Sequence, residues 1–542
     1  MRGLMQDHPL LVSSLLRHAA KHHRGSKLVS VDPQGAVTRF SWPEAEADAK
    51  RLAQALARRG VQPGERIATL AWNSREHLAL YYGVSGMGAV MHTVNPRLFP
   101  DQIAYILEDA QDTHIFVDPS VLPALVAVRD KLPACLRAVV LMGPVAETPD
   151  FPVEVLSMAE LMAAEDGAYE WPELDEREAC SLCYTSGTTG MPKGVLYSHR
   201  STVLHAMTAI SPDIFCMSAR DVVMPVVPMF HVNAWSIPYA AAMTGASMVL
   251  PGPRLDPASL FALFEGEGIT FSAGVPTIWT MLLQWLRADP SRKFSKPPRL
   301  VVGGTALPVP ITEGFLRDYG VEIVHAWGMT EISPLGSTNV RKAETADWDD
   351  ARWLAYSRKQ GRPPYGVDFR VLDANGNPIV QDEVAFGELE VRGPWVASAY
   401  FNRENEPAFS ADGWFATGDV VTLDALGAIE IVDRAKDVIK SGGEWISSIT
   451  LENLALAHPE VQLAAAIPVA HPKWDERPLL VVVPKPGTNP TAESVLAVLE
   501  GKVAKWWMPD RVEFVDSLPL TATGKLWKAE LKKRFKDYTL PA

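Results

Sequence analysis

Tyr184-Thr-Ser-Gly-Thr-Thr-Gly-Met-Pro-Lys-Gly-Val-Leu-Tyr-Ser-His-Arg200 is the stretch on which the reading of this chain turns. It sets Gly187, Gly190 and Gly194 among Thr185, Ser186, Thr188 and Thr189, with Lys193 near its end. Glycines let a backbone turn tightly and approach a ligand closely. Successive N–H groups can then face inward as an anion-binding nest, supplemented by hydroxyl donors and an ammonium charge. Such a loop can wrap a polyphosphate. It is not a Walker A loop, which needs Gly, four residues and then Gly-Lys-Ser/Thr. Here Met191 and Pro192 separate Gly190 from Lys193. Alone, a Gly/Ser/Thr run is most often a surface linker, so the surrounding sequence must decide.

Directly upstream, the apolar run 179–184 reads as a buried strand entering the loop. From about 45 to 340 amphipathic segments alternate with short apolar runs. Apolar repeats at three and four residues predict a helix over 43–59, another helix is expected from Arg75, and helical stretches lie over Pro257–Glu267 and 276–288. Strands are predicted over 66–72, Asp112–Val117, 137–142, 246–250, 270–273, 300–302 and 322–325. This rhythm implies layered α/β units with largely parallel sheets. After about 360 the texture changes. The segment 369–380 carries Asp373-Ala-Asn-Gly-Asn-Pro, a hairpin turn between apolar flanks, and 387–392 and 420–432 alternate like antiparallel strands. The acidic stretch 344–350 reads as a solvated loop. Near Asp433 a smaller α+β unit begins.

At 542 residues the chain is too long for one ordinary core. A net charge of −13 provides no global basic field for nucleic acid, so a polyphosphate must be held by local donors. Of the four cysteines, Cys180 and Cys183 form a C-x-x-C with no second pair beside it. They read as free, buried thiols in a reducing compartment. Asp7, His8 and Arg17 interrupt any apolar leader, and no apolar run spans a membrane. The protein is expected in the cytoplasm.

Four further motifs carry chemistry. His325-Ala-Trp-Gly-Met-Thr-Glu331 ends an apolar strand in an aromatic plane, a glycine, a hydroxyl and a carboxylate, where open α/β sheets bind ligands. Glu331 offers oxygen to Mg2+. Trp414-Phe-Ala-Thr-Gly-Asp419 places a carboxylate able to accept from two ribose hydroxyls. Asp433-Arg-Ala-Lys-Asp-Val-Ile-Lys-Ser-Gly-Gly-Glu-Trp445 joins Arg434 to a double glycine that permits close approach. Leu520-Thr-Ala-Thr-Gly-Lys525 puts a lysine on a Thr/Gly loop.

Together the five motifs resemble the signature of the adenylate-forming superfamily, which holds acyl-CoA synthetases, luciferases and peptide-synthetase adenylation domains. The resemblance runs over nearly the full chain and is strongest to medium- and long-chain fatty acyl-CoA synthetases. It implies a large N-terminal domain, 1–432, of layered α/β sheets with a small β-rich subdomain, and a small mobile α+β domain, 433–542. It implies ATP, Mg2+ and coenzyme A, and two half-reactions: a carboxylate forms acyl-AMP and pyrophosphate, then CoA takes the acyl group. By that resemblance Thr185, Ser186, Gly187, Thr188, Thr189, Gly190 and Lys193 grip the phosphates, and Glu331 with Thr185 holds the metal. Gly304, Thr305, Ala326 and Trp327 frame the adenine, and Gly328 and Met329 also belong to the cofactor site. Thr330 contacts the α-phosphate, and Asp419 and Arg434 bind ribose. Lys525 serves adenylation, and Lys436 is the hinge that brings Lys440, Gly442, Gly443, Glu444 and Trp445 to the CoA tunnel. His231, Trp235, Gly303, Trp327, Pro334 and Leu335 wall the acyl pocket. Thr450 departs from the glutamate common in relatives, while Glu452 remains. A medium-chain acid is expected first, then a long-chain acid or a short substituted acid such as methylmercaptopropionate, with a homodimer as the assembly. Acyl loading of a carrier protein, a non-catalytic AMP sensor and a luciferase-like oxygenase are the competing readings.

Overall fold

The computed structural model describes the chain apart from residues 2, 186–190, 306, 404–405, 443, 521–525 and 541–542 and the side chain of Glu444. The chain divides into two compact units. The first comprises Met1–Thr185, Pro192–Asp368 and Arg392–Phe415; the second is built on Phe369–Val391 and Ala416–Ala542.

Among the described residues the first unit holds two large sheets. Its strands are β1 (Lys27–Val31), β2 (Val37–Ser41), β3 (Arg66–Leu70), β4 (Val90–Thr93), β5 (Asp112–Val117), β6 (Ala138–Leu141), β7 (Glu154–Ser157), β8 (Ala179–Tyr184) and β9 (Gly194–Ser198). They continue as β10 (Val222–Pro225), β11 (Ser247–Leu250), β12 (Phe271–Gly274), β13 (Arg299–Val302), β14 (Ile323–Gly328) and β15 (Leu335–Asn339). One sheet runs β7-β6-β5-β3-β4-β8-β9 and the other β15-β14-β13-β12-β10-β11-β1-β2. Pairing is parallel except at β8–β9, β14–β15 and β1–β2. The central strands are buried on both faces, including polar members such as Asp112, His114 and Ser181.

Local chemistry sets the helix starts. Helix Trp42–Arg58 begins at Ser41, whose hydroxyl and Glu44 form a reciprocal capping box ahead of Pro43. Helix Pro257–Glu267 is capped by Asp256 and ends at Gly268 in the left-handed region. The acidic stretch is more ordered than expected. Asp349 caps helix Asp350–Tyr356 by accepting from Arg352 N, so carboxylates that looked merely solvated start an element. The N-terminal strands β1 and β2 were not anticipated. No helix among the described residues is long and apolar enough to cross a membrane.

The second unit contributes β16 (Asp368–Leu372), β17 (Phe386–Arg392), β18 (Phe415–Leu423) and β19 (Ile429–Arg434), paired in that order. The predicted turn at Asp373 is present, with the carboxylate accepting from Asn375 N and Asn377 N. The second arm of that hairpin reduces to a single bridge, Leu372 to Pro378, because β16 takes β17 as its partner instead. Then come β20 (Ile439–Ser441), β21 (Glu444–Ile446), β22 (Val461–His471), β23 (Asp475–Pro484) and β24 (Arg511–Phe514), in the order β21-β20-β23-β22 with β24 on β23. Alternate residues of β23 feed two cores: Leu480 and Val482 pack with Leu451 and Val512, and Leu479 and Val481 with Leu518 and Leu531.

Candidate active site

In the first unit β8 and β9 pair antiparallel, and the glycine-rich stretch falls between them in the sequence, after the carboxyl end of β8. Thr185 N donates to Lys193 O (2.9 Å), and Lys193 N donates to Thr185 Oγ1 (3.0 Å). These two residues close the neck of the loop. Ser186, Gly187, Thr188, Thr189 and Gly190 lie outside the described residues. Beside the neck, Phe401 N donates to Gly194 O (2.8 Å), which brings Tyr400 into the site.

The second motif arrives from the carboxyl end of β14. After Trp327, which pairs with Ser337 across β14–β15, the chain makes a short turn, Thr330–Ile332. Tyr197 of β9 donates its hydroxyl to Thr330 O (2.6 Å), and Ala397 N donates to Glu331 O (2.8 Å). The Glu331 side chain is buried and accepts from Tyr400 Oη at 2.6 Å. Lys193 Nζ lies 4.8 Å from the Tyr400 ring centroid and donates to Glu406 Oε2 at 2.9 Å. Tyr400 thus joins the loop lysine to the buried carboxylate. Its own burial, then the charge of Glu331, push its phenol far above the usual value. Glu406 is held below the ordinary carboxylate range, first by the Lys193 hydrogen bond.

The oxygens of Glu331 and Thr185 suit a hard cation such as Mg2+, which keeps waters and takes the rest of its shell from substrate phosphates. Among the described residues no group of three or more His, Cys, Asp or Glu could hold a metal alone.

Of the residues expected at the acyl pocket, Trp235 and Gly303 come together. Trp235 Cη2 lies where a Cβ on Gly303 would come within 3.3 Å, and that same Cβ would stand 2.9 Å from Ala326 O. Leu335 is held from both sides: its N donates to His205 Nε2 (3.1 Å) and its O accepts from Trp395 Nε1 (3.0 Å). Met329 N donates to Pro334 O (3.1 Å), and Gly304 and Thr305 follow β13. His231 stands partly buried at the start of the turn that carries Trp235. Cys180 and Cys183 are free, buried thiols, each pushed up to about 11 by burial.

The second unit has its own cluster. Asp419 and Arg434 are cross-strand partners on β18 and β19, joined by an ion pair of 2.8 Å, with Asp419 buried. Beyond Arg434, Lys436 is partly desolvated, which lowers its pKa, and its O accepts from Lys532 Nζ (2.5 Å). Lys440 and Trp445 face each other across β20–β21, and Trp445 packs near Phe386. Gly442 has φ +62, and a Cβ there would stand 2.8 Å from the Trp474 ring, so only glycine suits the position. Gly443 and Lys525 lie outside the described residues, as does the Glu444 side chain. Leu520 and Leu526 form a bridge on either side of the Lys525 segment. Glu452 anchors a buried cation, its carboxylate meeting Lys528 Nζ at 2.6 Å, and Lys528 also donates to Ser448 Oγ (2.6 Å). Thr450 Oγ1 donates to Ser447 Oγ (3.0 Å), a local contact in place of the missing glutamate.

Sequence reasoning missed Tyr400, Glu406, Asn233 and Lys528. Tyr400 carried one usable signal, an aromatic hydroxyl shortly before the Trp414–Asp419 motif; the others carried none.

Comparison with known proteins shows the family. The family model described as "AMP-binding enzyme" matches residues 16–401, and that of the "AMP-binding enzyme C-terminal domain" matches 450–525. The chain is 51% identical over 538 residues to a 3-methylmercaptopropionyl-CoA ligase of Ruegeria lacuscaerulensis, covering 99% of each. It is 47% identical to a medium-chain-fatty-acid–CoA ligase of Ectopseudomonas oleovorans, covering 100% of this chain and 98% of the relative. Among solved structures, ATP-bound MatB from Rhodopseudomonas palustris matches with a TM-score of 0.81 at 26% identity, over 97% of this chain and 99% of that one.

Proposed function

The chain belongs to the AMP-binding enzymes, and from that premise we propose that it is an AMP-forming acyl-CoA ligase whose acid is a medium-chain fatty acid. The observation that carries the reaction class is the joining of Lys193, Tyr400 and Glu331 at the neck of the loop. An ammonium for phosphate oxygens and a buried carboxylate for a metal stand side by side there. A carboxylate oxygen of the acid attacks the α-phosphorus of ATP, and pyrophosphate leaves. The CoA sulfur then attacks the acyl carbonyl, its proton goes to solvent, and AMP leaves. Lys193 and the loop donors hold the phosphates, and stabilisation is electrostatic and positional. Mg2+, held by Glu331 and Thr185, supplies neutralisation of phosphate charge when bound.

We assign the ATP and acyl sites to 1–432 and take Lys436 as the hinge about which 433–542 presents Lys525 and then the 440–445 segment. Lys525→Ala should abolish acyl-AMP formation and largely spare thioester formation from supplied acyl-AMP. Equal loss in both half-reactions would remove that assignment.

A second reading for the acid is 3-methylmercaptopropionate, favoured by the 51% identity to a ligase of that name. A panel from butyrate to palmitate plus 3-methylmercaptopropionate, scored by pyrophosphate release with and without CoA, decides between them. Silence with every acid would overturn the enzyme itself, and AMP release independent of CoA would overturn the thiol acceptor. We place the enzyme in the cytoplasm as a homodimer, and a monomer by sedimentation would correct the latter.

A further inference from the structure

Five successive residues, none of them glycine, sit in the left-handed region: Val232 (φ 46), Asn233 (φ 50), Ala234 (φ 49), Trp235 (φ 55) and Ser236 (φ 60). Each crowds its Cβ against the following carbonyl. A run of this kind persists only where its surroundings over-determine it. Val232 is the most telling member, because a β-branched side chain is least tolerant of such angles.

The turn is pinned by one side chain. Asn233 is buried, at 3% exposure. Its Nδ2 donates to Ser181 Oγ at 2.9 Å, and its Oδ1 lies 3.4 Å from Cys183 Sγ and 3.5 Å from Tyr81 Oη. Ser181 and Cys183 stand two residues apart on β8, hence on one face of that strand. β8 runs directly into Thr185 and the phosphate loop. At the other end of the turn, Trp235 extends to Gly303 and Ala326, where a Cβ on Gly303 would nearly touch its ring. Ala240 N donates to Ser236 O (2.9 Å), so the turn passes straight into helix Ile237–Thr244. With both ends anchored, the handedness of the turn sets where the indole points.

We propose that Asn233 is a positioning residue for acid selection: its amide, clamped to β8, holds the left-handed turn that aims Trp235 at the acyl pocket. The proposal rests on the reading of Trp235 as a wall of that pocket. Asn is apt here because it tolerates left-handed angles better than other non-glycine residues. The clamp also registers the acid-facing turn against the strand that delivers the phosphate loop.

The test compares Asn233→Gly, Ser181→Ala, Trp235→Ala and the double variant Asn233→Gly/Trp235→Ala in the full chain. Glycine accepts the backbone angles and removes the clamping side chain, so a loss of folding is not the expected effect. Asn233→Gly should raise KM for the preferred acid about tenfold, the scale of one lost positioning hydrogen bond. KM for ATP should change less than about twofold, and the chain-length profile should flatten as in Trp235→Ala. Ser181→Ala, which removes the donor's partner from the strand side, should shift the profile in the same direction. In the Trp235→Ala background Asn233→Gly should add nothing further, since residues acting through one another are non-additive. A wild-type acid profile in Asn233→Gly, or additive effects in the double variant, overturns the proposal. An unchanged profile in Trp235→Ala overturns the pocket reading and this inference with it.

Discussion

Lys193 meets its future ligand with a carboxylate already in hand. Glu406 occupies the ammonium that the phosphates are expected to take, and Tyr400 lies between that ammonium and Glu331. On the proposed role of Lys193, ATP competes with Glu406 for that ammonium. The two side chains are 32% and 23% exposed, so the pair is worth no more than about 1 kcal/mol. Glu406→Gln should lower the Kd for ATP about two- to fivefold, read by calorimetric titration, because the competing charge is gone. A weaker affinity would mean that Glu406 assists the bound state instead. The lysine and Glu331 were legible in the sequence because each sits in a motif whose composition has little other use. Glu406 was not, since it lies 213 residues from Lys193 and nothing in its local sequence distinguishes it from a surface acid.

At the scale of elements, helix Lys528–Arg534 is tied to the 433–437 segment, whose Lys436 is the proposed hinge. Lys528 reaches Glu452 and Ser448, and Ser448 Oγ donates to Asp433 Oδ1 (3.0 Å). One turn later Lys532 donates to Lys436 O and pairs with Asp437 (2.8 Å). Two lysines on one helix face thus hold both ends of 433–437. Lys528→Met leaves Glu452 buried without its cation and should destabilise the second unit by about 3 kcal/mol. Urea unfolding followed by amide exchange in β22 and β23 reads this, and a loss below about 1 kcal/mol would show that the network is dispensable. Elements bounded by clear start and stop signals, such as helix Pro257–Glu267 between Asp256 and Gly268, were legible end to end, as was β5. The left-handed turn at 232–236 was invisible, because no local preference favours it and only Asn233's distant partners sustain it. The hairpin arm after Asp373 was misplaced because the choice of partner strand is made by β17, not by the turn.

Across the whole molecule, burial gives the two units opposite responses to acid. His77, His114, His199 and His325 are lowered to about 4 and His205 to about 3, in each case chiefly by burial, and all five lie in the first unit. Below their ordinary value of 6.5 the unfolded chain takes up protons that the folded unit refuses, so stability falls as pH drops. Each such histidine costs about 1.4 kcal/mol per pH unit until its folded pKa is reached. Glu452 in the second unit has the reverse sign. Burial, partly offset by Lys528, raises it from 4.5 to about 7, so its contribution improves as pH falls through that window. Scanning calorimetry from about pH 7.5 to 5.5 should show one transition moving several degrees lower while another holds or rises; parallel shifts of both would contradict this. Finally, the pairing of β1 with β11 sets a timetable for synthesis. Leu28 finds its parallel neighbour only when Met248 has been made. At ordinary ribosomal speed, that is a delay of roughly 10–40 s. For that interval β1, which the finished fold buries along almost its whole length, has β2 beside it and an empty edge on the other side. A nascent chain stalled before Met248 should be cut by protease within 27–41, and one stalled well beyond it should not.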